Sequence, residues 1–202
     1  MKRIGVLAVQ GDVSEHVDAV SRAGEARGEE AEAVPVRRPA TLEGLGALIL
    51  PGGESTTISK ILHRNGLFEP VRKRVEEGSL ALLGTCAGMI VMAKRATDLD
   101  RETLGLMDIE VVRNAFGRQV NSFETGLDME GIDGPPLKAV FIRAPLIRAA
   151  GKGVKVLARL PDGGIVAARQ GHLLATAFHP ELTDDDRVHA YFLSFTNGAK
   201  HD

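Results

Sequence analysis

Short apolar runs alternate with longer segments of helical period through the first half of the chain, the pattern of βαβ units in a parallel sheet covered on both faces. Residues 4–9 form the first such run and read as a buried strand. Asp12 and Glu15 then have the spacing of a capping box, opening a helix whose apolar positions include Val17, Val20 and Ala23. Ala31–Val36 reads as a second strand, with Pro35 marking it as a sheet edge, and Ala47–Leu50 as a third that stops at Pro51-Gly52-Gly53. Helices are expected over Ser55–Arg64, closed by Asn65-Gly66, and over residues 67–77, closed by Gly78. Residues 80–83 form the fourth strand.

The second half changes character. The runs "DIEVVRN", "RQVNSFE", "LKAVFIRAP", "KVLARLP", "GIVAARQ" and "LLATAFH" are β-like and separated by turn residues, and Pro161-Asp162-Gly163-Gly164 carries an Asp-Gly hairpin signal. An antiparallel extension of the sheet is therefore expected. In the closing segment "TDDDRVHAYFLSF", Thr183 and Asp186 suit a capping box, and Val188, Tyr191, Phe192 and Phe195 fall on one helical face. That helix reads as packing rather than chemistry. No repeat or linker divides residues 1–202, which read as one domain.

Composition narrows what the chain could do. With 202 residues, 44% of them hydrophobic, it is long enough to bury a substantial core. A formal net charge of -2 with interspersed signs offers no basic field for nucleic acid and no basic amphipathic helix for a membrane, so the partners expected are small molecules or proteins. The single cysteine cannot form an internal disulfide, and the six scattered histidines do not make a zinc signature, so no metal is expected. The first apolar run is too short for a signal-peptide core. A cytoplasmic protein is the expectation.

That one cysteine, Cys86, lies in Gly84-Thr85-Cys86-Ala87-Gly88, between the fourth strand and the apolar run 89–93. This G-x-C-x-G is the thiol form of a nucleophile elbow: a sharp strand-to-helix turn whose flanking residues must be small and whose central side chain is lifted clear of the sheet. The helix N-terminus would favour negative charge at the sulfur, and the amide of Ala87 would point where an oxyanion forms. The alternative is a packed core thiol. A base is offered by "AFHPEL", in which Pro180 disfavours helix at His179, so the segment should be extended with His179 and Glu181 on the same side. Glu181 would then fix the tautomer that presents the other ring nitrogen to Cys86. His16, His63 and His189 lie in expected helices, His201 in a tail, and His172 at a strand start, so none of these suits the role as well. Gly52 or Gly53 could supply a second oxyanion donor, or simply make a turn. Gln10-Gly11, residues 51–55, residues 85–88 and residues 179–181 all follow expected strands; if those strands are parallel, the four loops meet at one sheet edge. Together they hold what acyl transfer through a thioester requires.

These residues carry a family resemblance. The G-T-C-A-G elbow, the P-G-G-E-S loop and the H-P-E segment resemble class I, triad-type glutamine amidotransferases. "AVQGDVSEH", "PGGESTTISK", "GTCAGMIVMAK", "RNAFGRQVNSFE", "FIRAP" and "FHPEL" further resemble the glutaminase subunits of pyridoxal 5'-phosphate synthase, over nearly the whole chain. The resemblance implies an α/β fold: a three-layer αβα, flavodoxin-like domain whose central sheet is mostly parallel with an antiparallel extension. It implies hydrolysis of glutamine to glutamate and ammonia, with Cys86 as nucleophile, His179 relaying the proton and Glu181 holding the imidazole. It places Gly53 and Ala87 at the oxyanion, and Gly53, Glu54, Ser55, Arg113, Ile142 and Arg143 around glutamine. No cofactor is implied for this chain. The implied partner is a (β/α)8-barrel synthase subunit that receives the ammonia in a hetero-oligomer, with Gln10 at the interface and docking that reorients the oxyanion glycine. A glutaminase serving another synthase, such as imidazole glycerol phosphate synthase, a cysteine peptidase or deglycase on a similar elbow, and a non-catalytic docking subunit are the rival readings.

Overall fold

A computed structural model describes residues 1–9, 11–97, 99–113, 115 and 122–196. The strands are β1 (Lys2–Leu7), β2 (Ala31–Val36), β3 (Ala47–Leu50), β4 (Ala81–Thr85), β5 (Ala93–Ala96), β6 (Met107–Val112), β7 (Ser122–Leu127), β8 (Leu137–Ile142), β9 (Leu146–Ala150), β10 (Lys155–Arg159), β11 (Ile165–Gln170) and β12 (Leu173–Thr176). The helices are α1 (Val13–Ala26), α2 (Ser55–Arg64), α3 (Phe68–Glu76), α4 (Ala87–Met92) and α5 (Arg187–Ser194).

The main sheet has the order β2-β1-β3-β4-β12-β11-β9-β6-β5, with β10 pairing β11, while β7 and β8 form a separate antiparallel pair. Its first five strands are mutually parallel. From β12 through β11 and β9 to β6 every pairing is antiparallel, which is the expected extension. Every residue of β3 and β4 is buried. Unbroken apolar strands of this kind belong at the centre of a parallel sheet with both faces covered. α1 packs with α5, and α2 with α3 and α4, around a core that includes Ile49, Leu50, Ile58, Phe141 and Phe178. Pro35 does lie on the edge strand β2, where its missing N–H breaks no ladder. The Asp-Gly hairpin turn joins β10 to β11, with Gly163 N–H donating to Leu160 O at 2.8 Å.

Several local expectations are corrected. The first strand is Lys2–Leu7 rather than residues 4–9, and the fourth is Ala81–Thr85 rather than residues 80–83, because pairing with neighbours decides where a strand stops. The apolar run 89–93 does not stay helical: Ala93 leaves α4 and begins β5, which pairs β6. β5 and β9 carry polar residues and have no period of their own, so only the sheet reveals them. Neither capping box forms. Asp12 occupies the N-cap of α1 without a side-chain bond to the helix. At the chain's other end Asp186 is the N-cap of α5, while Thr183 Oγ1 accepts from Asp185 N–H at 3.2 Å. Among the described residues no helix is long and apolar enough to cross a membrane.

Candidate active site

The turn between β4 and α4 holds Cys86 at φ 48° and ψ -105°. A side chain in that region costs roughly 1–3 kcal/mol and persists only where its surroundings impose it. Here Cys86 N–H donates to Thr176 O at 2.8 Å, tying the elbow to β12, while α4 sits directly against the end of β3. Gly88 allows that approach, since a Cβ there would lie 1.9 Å from Leu50 O. The flanking glycine is thus required by a backbone contact, as the motif predicts. Ala87 begins α4, so its N–H is among those without an intrahelical acceptor.

His179 follows β12, the parallel neighbour of β4, and its N–H donates to Val140 O at 2.8 Å. Its Nδ1 lies 2.8 Å from Glu181 Oε1. The contact is the expected one, but the route differs. Pro180–Leu182 is a short 3-10 turn rather than an extended segment, because proline fixes a helical φ once His179 has left the sheet. The turn folds the carboxylate back under the ring. With an ionised carboxylate as partner, Nδ1 carries the proton and Nε2 faces Cys86.

The electrostatics follow from burial and company. Burial alone would lower the His179 pKa, but the hydrogen bonds to Cys86 and Glu181 and their charges outweigh it and raise it to about 10. Burial raises the Glu181 pKa, and the imidazolium beside it opposes that shift. A second carboxylate reaches the same ring nitrogen: Asp12 Oδ2 lies 3.3 Å from His179 Nδ1. Asp12, which the sequence places at a helix cap, is therefore also a neighbour of the His179 ring. Its position just after a parallel strand, like the other loops, was the available signal.

The four loops do converge. Gly52 packs against the His179 ring, where a Cβ would sit 2.3 Å from Cε1. Close approach to a side chain, rather than to a ligand, therefore accounts for the first glycine of the pair. A cleft of about 450 Å³ opens over the sulfur, and Gly53, Glu54, Ser55, Ala87, Arg113, Ile142 and Arg143 border it with Cys86 and His179. Glu181 lies behind His179, buried. Gln10, most of "RNAFGRQ" and His201 lie outside the described residues.

Glu54 serves α2 as its N-cap, accepting from Thr56 N–H at 3.0 Å and Thr57 N–H at 2.6 Å. Burial works against the charged form, but these bonds prevail and lower its pKa. Arg113 Nη2 lies 3.4 Å from the same carboxylate. Ser55 Oγ is buried with no hydrogen-bond partner among the described residues. Cys86 Sγ is 3.8 Å from Ile142 O, and Arg143 is strained too, at φ 43°. A larger hollow of about 650 Å³, bounded by Lys138, Leu182, Thr183, Asp184, Asp185 and Arg187, has neither Cys86 nor His179 in its lining.

The helical histidines do more than expected. His16 and His189 are fully buried, and His16 Nδ1 lies 3.0 Å from His189 Nε2. The closing helix is therefore not packing alone. His172 lies in the turn between β11 and β12, its Nε2 3.0 Å from Val75 O.

Comparison with known proteins agrees with this geometry. Residues 6–197 match the SNO glutamine amidotransferase family. A "Pyridoxal 5'-phosphate synthase subunit PdxT" of Acidothermus cellulolyticus is 54% identical over 198 residues, covering 95% of this chain and 92% of its own length. Another with the same name, from Thermus thermophilus, is 54% identical over 191 residues, covering 94% and 95%. A crystal structure described as a glutamine amidotransferase superposes with a TM-score of 0.86 at 52% identity, covering 96% of this chain and 99% of that one. By sequence and by fold, the chain belongs to the SNO glutamine amidotransferase family.

Proposed function

We propose that this chain is the glutaminase subunit of a pyridoxal 5'-phosphate synthase, hydrolysing the side-chain amide of glutamine through a thioester on Cys86. The observation that carries the reading is the elbow cysteine facing a buried His179–Glu181 pair, with Nδ1 2.8 Å from Oε1, in a chain of this family.

The geometry supports the following roles. The Cys86 sulfur attacks the amide carbon while His179 holds the proton, which passes to the departing ammonia; water then enters, and His179 takes its proton as the thioester is cleaved. Glu181 keeps the imidazole oriented and favours its protonated form. The N–H groups of Ala87 and Gly53 are assigned to the oxyanion. Substrate glutamine presents a carboxylate and an ammonium, and the paired Arg113 and Glu54 are suited to one each. Ser55 Oγ, buried beside the cleft with no partner among the described residues, is placed to meet a polar group of the substrate. Residues 1–202 act as one amidotransferase domain, in the cytoplasm.

The synthase subunit that receives the ammonia is assigned as a (β/α)8-barrel in a hetero-oligomer with this chain. Gln10 and the loop after β1 are assigned to the interface, where Asp12 would transmit docking to His179. The test is glutamate release from glutamine by the chain alone, with the barrel synthase added, and by Cys86→Ala. Release that rises on adding the synthase and falls at least roughly 10⁴-fold in the variant is expected. Absence of glutamate release in every condition would reject the assignment.

A further inference from the structure

The reaction as assigned above uses Cys86, His179 and Glu181, and leaves unexplained two buried histidines beside them. His16 on α1 and His189 on α5 are both fully shielded from solvent. Packing alone would be served at lower cost by apolar side chains, because each buried ring nitrogen must be satisfied or paid for in lost hydration. Their placement is specific. His16 Nε2 lies 3.2 Å from Thr85 Oγ1, in the residue before the nucleophile, and 3.5 Å from Glu181 Oε1, in the triad itself. His16 Nδ1 lies 3.0 Å from His189 Nε2.

One proton arrangement suits this chain of contacts. If His189 Nε2–H donates to His16 Nδ1, then His16 must carry its own proton on Nε2, directed at Thr85 and the Glu181 carboxylate. The lone pair left on His189 Nδ1 is then the atom without a partner, in agreement with its isolation among the described residues. The reverse arrangement would point the His16 Nε2 lone pair at a carboxylate oxygen and bury an unpaired N–H on His189. An unpaired donor and an anion facing a lone pair are both unfavourable. Burial keeps both rings neutral, lowering the His189 pKa to about 4 with Arg22 adding to the effect, and placing that of His16 well below its ordinary value, with His189 and His179 adding there. Glu181 Oε1 thus receives His179 at 2.8 Å and faces His16 at 3.5 Å, while Oε2 has no partner among the described residues. Beside its own backbone N–H, these two rings are what hold the carboxylate's rotation among the described residues.

We propose that His16, with its tautomer set by His189, is a positioning residue that orients Glu181 through the same oxygen that His179 engages. The proposal rests on the triad assigned above. The charged and titratable groups facing Glu181 are His179, His16 and Asp12, and those facing His189 are His16 and Arg22, the latter paired with Asp186 at 2.8 Å.

The test compares two amides of like polarity. In H16Q the side-chain NH₂ falls near the position of Nε2 and can still donate toward Glu181; in H16N it falls near Nδ1 and cannot. Both are assayed with the synthase subunit for glutamate release, and separately for the rate of Cys86 alkylation by iodoacetamide, after a thermal melt confirms folding. H16Q should keep kcat within about threefold of wild type, and H16N should lose roughly 10- to 100-fold in kcat with KM for glutamine little changed. Alkylation should slow in H16N and not in H16Q. His189→Phe should lower kcat in the wild-type background but add little to H16Q, because an amide needs no partner to set its tautomer. Equal behaviour of H16Q and H16N, or an additive effect of His189→Phe in both backgrounds, would overturn the proposal; if H16N does not fold, the His189→Phe pair decides alone. If the wild-type chain releases no glutamate, the function assigned above fails, while the alkylation rates still judge His16.

Discussion

Gly52→Ala isolates the spacing on which the site depends. The backbone of Gly52 lies outside the left-handed region, so alanine is conformationally acceptable there. The obstacle is the His179 ring: the new Cβ would stand 2.3 Å from Cε1, 3.0 Å from Nδ1 and 3.3 Å from Nε2. To restore the 3.4 Å at which such atoms ordinarily touch, the ring or the 51–53 loop must retreat by about 1.1 Å. If the ring moves, Nδ1 loses its 2.8 Å bond to Glu181. If the loop moves instead, Gly53 leaves the place proposed for it at the oxyanion. Either displacement approaches 1 Å at a reacting centre, which costs roughly 100-fold in rate, or about 2.7 kcal/mol in the barrier. Stability should change much less, because alanine also reduces the freedom of the unfolded chain by roughly 0.4–1 kcal/mol. The assay is steady-state glutamate release in the presence of the synthase, beside a thermal melt. A folded Gly52→Ala variant with kcat/KM within threefold of wild type would refute the reasoning, since it would mean that the ring position is not critical or that the loop yields freely.

Two further outcomes follow from the same packing. Gly88→Ala places a Cβ 1.9 Å from Leu50 O, a backbone atom that cannot swing away, so it should destabilise the fold by roughly 3 kcal/mol and lower Tm by roughly 6–12 °C; an unchanged melt would contradict the described seat of α4. The depressed His189 pKa predicts acid sensitivity: its folded value of about 4 lies below the ordinary value of 6.5, so the unfolded chain binds the extra proton first and stability falls as pH drops from 6.5 toward 4. His189 alone should remove roughly 3 kcal/mol over that window, with His16 acting in the same direction. Denaturant titrations at a series of pH values should therefore show a shallower acid slope in His189→Phe, and identical slopes would refute the buried neutral pair.

What the sequence determined by itself is the part governed by local pattern. Apolar runs and punctuation located β2, β3 and α2 at their observed limits: β3 is buried on both faces and so apolar throughout, β2 is the edge strand that Pro35 marks, and α2 ends where asparagine and glycine end it. The elbow around Cys86 was legible for a similar reason: a strand-to-helix turn this tight needs small residues at fixed offsets. The loops after successive strands also pointed to one edge, once the strands were taken as parallel. Tertiary structure decided what depends on pairing and proximity. It ended α4 at Met92 by giving Ala93 a strand partner in β6, and it revealed β5 and β9, which have no period of their own. It turned Asp12 from the first turn of α1 toward His179, and it brought His16, His189 and Thr85 together from three distant parts of the chain. Such contacts leave no periodic trace, since a buried polar network is specified by the positions of its atoms in space, whereas hydrophobic pattern reports only which face of an element is hidden.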